Sequence, residues 1–167
     1  MANPDLHPEC RSLSGLLGTW RGEGIGEYPT IESFGYVEEV TFGHVGKPFL
    51  RYDQRTRDAS DGLPLHAETG YWRPAGPGHV EVVLSHPTGV AEVLEGSVNS
   101  GPVTVFDLHT TSVALTSTAK CVTQLHRRFE LEGDVLRYRL AMAAVGQPLS
   151  HHLSAELRRV GEGSPTR

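Results

Sequence analysis

The chain has 167 residues, 38% of them hydrophobic, 21% charged and 7% aromatic, the make-up of one soluble globular domain. Folding at this length buries roughly 68–70% of the unfolded surface, so neither disulfides nor a structural metal is required for stability. Against 20 Asp and Glu stand 15 Lys and Arg, a net charge of −5 with no block of like charge, which argues against nucleic acid or an anionic membrane as the main partner.

Residues 5–16 offer one helical turn, because Leu6, Cys10, Leu13 and Leu17 recur at three or four places after Pro4-Asp5. This short helix is expected to plug one end of the fold. Beyond it, 19 Gly and 11 Pro are scattered as turn punctuation between runs of β-branched and aromatic residues, many with a period of two. Strands are predicted at 18–27, 34–44, 48–57, 66–73, 79–86, 90–97, 102–109, 112–122, 124–132, 135–145 and 151–159, some of which merge to give about ten. Phe34, Tyr36, Val40 and Phe42 share one face of their run, as do Val80, Val82, Leu84 and His86 of theirs. The segment 124–145 reads as a hairpin turning at Gly133-Asp134.

About ten antiparallel strands with short connections close most economically into an all-β up-and-down barrel, since closure removes exposed edges and such a barrel can enclose a ligand. A sandwich is disfavoured, because the meander shows no Greek-key crossover. Residues 1–160 are expected to form this single domain and 161–167 a flexible tail. Pro4, Asp5, Pro8 and Glu9 stand where a signal peptide would need an apolar run. Cys10 and Cys121 make no CxxC, CxxCH or zinc spacing, which excludes covalent c-type haem and suits a reducing, cytoplasmic setting. A monomer or a homodimer is expected.

Gly18, Gly22, Gly24 and Gly26 fall on one strand face beside Trp20, where a backbone or a flat ligand can approach closely, or where Trp20 simply plugs the base. His66, His86, His126 and His152 lie in predicted strands, and neutral imidazole ligates iron, so each is a candidate ligand. His151 and His152 are adjacent and point to opposite faces of a regular strand. Ser117-Thr118-Ala119-Lys120 spells S-x-x-K, but inside a predicted strand and without S-D-N or K-T-G it is a chance match. Glu38-Glu39 and Glu92/Glu95 read as solvated strand faces. From the residues alone, the chain is a ligand-binding barrel with candidate histidines.

Five segments in order resemble the nitrobindins, ferric haem-binding β-barrel proteins, over about Leu16 to Arg159. They are Gly18-Thr19-Trp20-Arg21-Gly22-Glu23-Gly24, which matches the family's GxWxGxG, then Tyr28-Pro29-Thr30-Ile31, Gly46-Lys47-Pro48-Phe49-Leu50, Pro64-Leu65-His66-Ala67-Glu68-Thr69-Gly70-Tyr71 and the closing run 142–153. The resemblance implies non-covalent ferric haem b, one per chain, with His152 as the axial ligand because Leu153 follows it as in the family. It also implies isomerisation of peroxynitrite to nitrate, with the iron as Lewis acid, and reversible binding of nitric oxide. Gly18, Trp20, Gly22, Gly24, Thr30, Leu65, His66, Lys120 and Met142 are carried over as haem contacts, Lys120 toward a propionate. Two other readings stay open: a nitric oxide sensor or carrier without enzymatic activity, and a lipocalin-like carrier of small hydrophobic ligands without haem. Simple alternation places His152 with Ser154, Glu156 and Arg158, opposite Leu153, Ala155 and Leu157, so a bulge or a late strand start is needed to turn it inward.

Overall fold

The computed structural model describes residues 4–161; the rest of the expected tail, 162–167, lies outside the described residues. A 3₁₀ helix, Pro8–Leu16, leads into ten strands: β1 (Gly18–Tyr28), β2 (Ile31–Gly43), β3 (Leu50–Asp58), β4 (Pro64–Pro74), β5 (His79–Ser85), β6 (Val90–Asn99), β7 (Thr104–Leu115), β8 (Val122–Glu132), β9 (Val135–Ala144) and β10 (Ser150–Arg159). Each pairs antiparallel with the next, and β10 returns to β1, so the sheet closes into a barrel. The expected all-β architecture is therefore borne out.

Two expectations change in detail. The predicted strands 102–109 and 112–122 are one strand, β7, which carries an unpaired bulge residue at Thr111 opposite Val93 and Leu94. The run 116–121, rich in Ser and Thr, is a loop, so the S-x-x-K segment sits in a turn. In the N-terminal helix the buried residues are Cys10, Leu13 and Leu16. Their spacing of three follows the 3.0 residues per turn of a 3₁₀ helix, and it puts Leu16 where an α-helical reading places Leu17.

The helix closes one end of the barrel. Trp20 is buried there, donates its indole N–H to the Leu16 carbonyl at 2.7 Å and lies under the Arg159 guanidinium, 4.2 Å from the ring centre. Arg159 also donates to the carbonyls of Gly15 and Leu17, which the helix end leaves without backbone partners. Above this plug lies an aromatic layer in which Trp72 meets Phe42, Phe106 and Phe129 edge-on at 5.3–5.7 Å.

The β1 glycines serve the barrel's own packing. A Cβ at Gly22 would collide with the Glu156 carbonyl across the β1–β10 seam, and at Gly24 and Gly26 it would collide with the rings of Tyr36 and Phe34. Flat rings thus lie across β1 where any larger residue would push β2 away.

The β8–β9 hairpin turns at Gly133-Asp134 as expected, with φ +56° at Gly133. The β9–β10 turn is less well suited. Gln147 N–H donates to the Ala144 carbonyl at 2.9 Å around Val145 (φ +48°) and Gly146 (φ +80°). Positive φ at both central positions favours Asn-Gly, and a β-branched residue is strained there. Val145→Asn is expected to raise stability by about 1 kcal/mol, a rise in melting temperature of roughly 2–4 °C. Thermal unfolding followed by circular dichroism checks it; an unchanged or lower midpoint would show that the turn stores no such strain.

Candidate functional site

The other end of the barrel is open and leads into a cavity of about 300 Å³, within the range of small-molecule pockets. Its mouth is apolar, lined by Phe34, Leu65, Val90, Leu140, Met142 and Leu153 among others. Beneath the mouth, and above the aromatic layer, lies a ring of polar side chains from alternate inward positions of the strands.

Arg127 of β8 is the centre of that ring and only 5% exposed. It donates in a fork to Glu68 of β4 at 2.7 and 2.9 Å, and to Glu92 of β6 at 2.7 and 3.3 Å. Burial alone raises a carboxyl's pKa, but the guanidinium outweighs it and holds both Glu68 and Glu92 below their ordinary range. Tyr52 donates to Glu68 at 2.7 Å. Glu38 of β2 has no such cation in hydrogen-bonding contact; it accepts from Tyr138 at 2.7 Å and from Gln54 at 3.2 Å. Burial therefore dominates and pushes its pKa up to about 7.

A chain of imidazoles joins this ring to the mouth. His86 Nε2 donates to Glu92 at 2.6 Å, and His86 Nδ1 faces His66 Nε2 at 2.9 Å. Burial lowers the pKa of His66, which favours its neutral form.

His152 stands at the rim. The β9–β10 ladder pairs His151 with Ala141 and Leu153 with Leu140, so His152 is the extra residue of a β-bulge. The bulge lets His152 and Leu153 both line the cavity, which resolves the conflict with simple alternation. A carbonyl can only accept, so the 3.0 Å contact of His152 Nδ1 with the Glu27 carbonyl places the proton on Nδ1 and leaves Nε2 with its lone pair. Burial lowers the pKa of this imidazole as well, favouring the neutral, metal-ligating form. Tyr28 braces it edge-on at 5.3 Å, its own hydroxyl tied to the backbone of Met142 and Ala144. A neutral imidazole of fixed tautomer beside apolar walls fits the demands of a metal-bearing macrocycle. A second bulge, at Leu65 between the Thr56–His66 and Arg57–Pro64 pairs, likewise brings Leu65 and His66 together to the cavity wall.

Of the residues singled out in the sequence, the structure gathers Leu65, His66, Met142 and His152 at the cavity, with His86 beside them. Gly18, Trp20, Gly22 and Gly24 do not line it: Trp20 belongs to the closed end and the glycines to the seam. Thr30 and Lys120 are exposed on rim loops outside the lining. His126 faces outward. The reading of the acidic pairs as solvated is corrected, since alternation splits each pair and Glu38 and Glu92 are 4% and 0% exposed. Sequence reasoning gave Arg127, Glu68 and Tyr138 no role at the site. The available signal was face-sharing, for Glu38 falls with Tyr36 and Val40, Glu92 with Val90 and Leu94, and Arg127 with Leu125 and Phe129.

A carboxyl whose pKa is raised on folding stabilises the protein below its unfolded pKa and loses that contribution as pH climbs through the folded value. For Glu38 that window runs from about 4.5 to about 7. Glu68 and Glu92 are lowered, so their contributions are lost only as pH falls below the ordinary carboxylate range. Gln at position 38 can still accept from Tyr138 and can donate to the unpartnered Gln54 Oε1. Urea unfolding of the haem-free chain at about pH 5.5 and 8 is thus expected to show wild type losing on the order of 2 kcal/mol more than Glu38→Gln. Parallel pH profiles would show that Glu38 is ionised in the folded state throughout.

Comparison with known proteins converges on this geometry. The model of the THAP4-like, heme-binding beta-barrel domain matches residues 9–159. The chain is 58% identical over 156 residues to peroxynitrite isomerase 2 of Mycobacterium ulcerans, covering 93% of this chain and 97% of that protein. It is 56% identical over 155 residues to a peroxynitrite isomerase of Nocardia farcinica, covering 92% of each. The crystal structure of Rv2717c from M. tuberculosis superposes with a TM-score of 0.92 at 52% identity, covering 94% of this chain and all of that one. A closed ten-stranded barrel, an apolar mouth with a neutral histidine on a bulge, and a family match along nearly its whole length place this chain in the THAP4-like, heme-binding β-barrel family, the nitrobindins.

Proposed function

We propose that this chain is a haem-dependent peroxynitrite isomerase that holds ferric haem b non-covalently, one per chain, through His152. The observation that carries the reading is the bulged, backbone-tethered imidazole of His152 on the wall of an apolar cavity. The names of the relatives, all similar over nearly the full chain, support the activity. The absence of a CxxCH sequence agrees with non-covalent binding. Ferric haem, when bound, supplies a Lewis acid at which peroxynitrite rearranges to nitrate.

The chain's own residues do the rest. His152 would give Nε2 to the iron, with its ring fixed by the Glu27 carbonyl. Leu65, Met142 and Leu153 line the cavity and would shield a bound macrocycle from bulk water. Thr30 and Lys120 stand on the rim loops, where a hydroxyl and an ammonium can meet the cofactor's polar edge. His66, hydrogen-bonded through His86 to Glu92, provides a polar group of set orientation on the wall. Arg127 is already shared between two carboxylates, so its guanidinium is not free to hold a small anion beneath the mouth. Two free thiols, Cys10 and Cys121, suit a reducing cytoplasm.

Titration of the haem-free chain with hemin, followed by stopped-flow decay of peroxynitrite, tests the proposal. A saturable one-to-one Soret change, accelerated decay to nitrate, and loss of both in His152→Ala are expected. Equal haem affinity and ferric spectrum in His152→Ala would remove His152 as the ligand. Haem binding without acceleration would leave a nitric oxide carrier, and no specific Soret change would leave a barrel for other hydrophobic ligands.

A further inference from the structure

The outer wall of the barrel carries a second cluster that the cavity does not use. In the β7–β8 ladder, Asp107 pairs with Arg128 and His109 with His126, so the two histidines are cross-strand partners and Asp107 lies two residues along on the same outward face. The imidazoles are stacked, 4.2 Å between centres and 3° from parallel. Both turn Nε2 to the same carboxylate oxygen: Asp107 Oδ1 lies 2.6 Å from His126 Nε2 and 3.3 Å from His109 Nε2. Two imidazoles and a carboxylate thus present three ligand atoms within 4.8 Å of one another.

We propose that Asp107, His109 and His126 form a site for a divalent transition-metal ion, with Zn²⁺ as the simplest occupant. Two imidazole nitrogens and one carboxylate oxygen are a donor set suited to zinc or copper, whereas calcium and magnesium prefer oxygen. In such a site the ion takes the place of the proton shared by His126 Nε2 and Oδ1, and rotation of the stacked rings out of parallel brings all three ligands to about 2.0–2.2 Å. Three protein ligands leave a fourth position for water, so the ion is exchangeable.

The surroundings favour a cation. Arg128 donates to Asp107 Oδ2 at 3.3 Å, which leaves Oδ1 toward the histidines, and its Nε is engaged by Glu130 at 3.1 Å. Glu95 of β6 pairs with His109 on the other side. Three carboxylates, Asp107, Glu130 and Glu95, thus stand around the cluster against the one guanidinium, in a chain that is itself acidic. All three ligands are solvent-accessible, with side chains 58% exposed for His109 and about 30% for the others.

Isothermal titration of zinc sulfate into the full-length, haem-loaded chain near neutral pH tests this. One ion is expected to bind per chain, with binding weakened at least tenfold in His126→Ala and lost when the histidines are protonated at acidic pH. Histidine side-chain NMR locates the ion independently of any variant: the imidazole signals of His109 and His126 are expected to move, while those of His66 and His86 stay. The proposal is overturned if no stoichiometric binding is seen, if His126→Ala binds as tightly as wild type, or if only the cavity histidines respond.

Discussion

The hydrogen-bonded seam between β1 and β10 is the constraint on which the rest of this molecule depends. Without it the sheet has two edges and no interior, and none of the inward residues shares a chamber with those across the barrel. The seam forms because β1 is stripped to glycine at positions 22, 24 and 26, so that β10 on one side and the rings of Tyr36 and Phe34 on the other can close upon it. It ends at the Gly26–Leu153 pair, and one residue further the Glu27 carbonyl has lost its strand partner. That orphaned acceptor receives the proton of His152. The orientation of the histidine is thus a property of where the barrel stops being a barrel.

The interior is layered along its axis. An aromatic layer and the 3₁₀ helix close one end, a hydrogen-bonded ionic ring sits in the middle, and an apolar mouth opens at the other. Buried ions are costly, and an Arg with two Glu is tolerable because four of the five N–H groups of the fork are engaged by the two carboxylates. The ring then supplies rigidity directly below the cavity, where a fluid apolar core would let the walls collapse.

Much of this was legible from the residues. Period two is a strong signal in strands that bury one face, so the ten strands, the Gly133-Asp134 turn and the inward set Val80, Val82, Leu84 and His86 follow from the sequence. The difficulty over His152 was legible too, because alternation failed at the one place where the ladder bulges. The ionic ring was not read, since Glu38 and Glu92 each stand near another glutamate that does face solvent. Charged residues are seldom buried unless paired, and the partner Arg127 lies on β8, far away in sequence. The glycines misled for a related reason: a face without side chains invites a ligand, and nothing local reveals that the chain's own tyrosine and phenylalanine already fill it.

The order in which the ring's members occur along the chain has a consequence for synthesis. Glu38, Glu68 and Glu92 belong to β2, β4 and β6, whereas the cation that pairs Glu68 and Glu92 arrives only with β8, 59 residues after Glu68. A nascent chain that has emerged through β6 therefore carries three inward carboxylates and no inward cation. Burying such unpaired carboxylates is costly, which opposes collapse of a half-made sheet onto its apolar face. Emergence of Arg127 supplies the cation that pairs Glu68 and Glu92, shortly before β10 becomes available to meet β1. The ring that stiffens the finished barrel can thus be completed only once β8 has been made, just ahead of the strand that closes it.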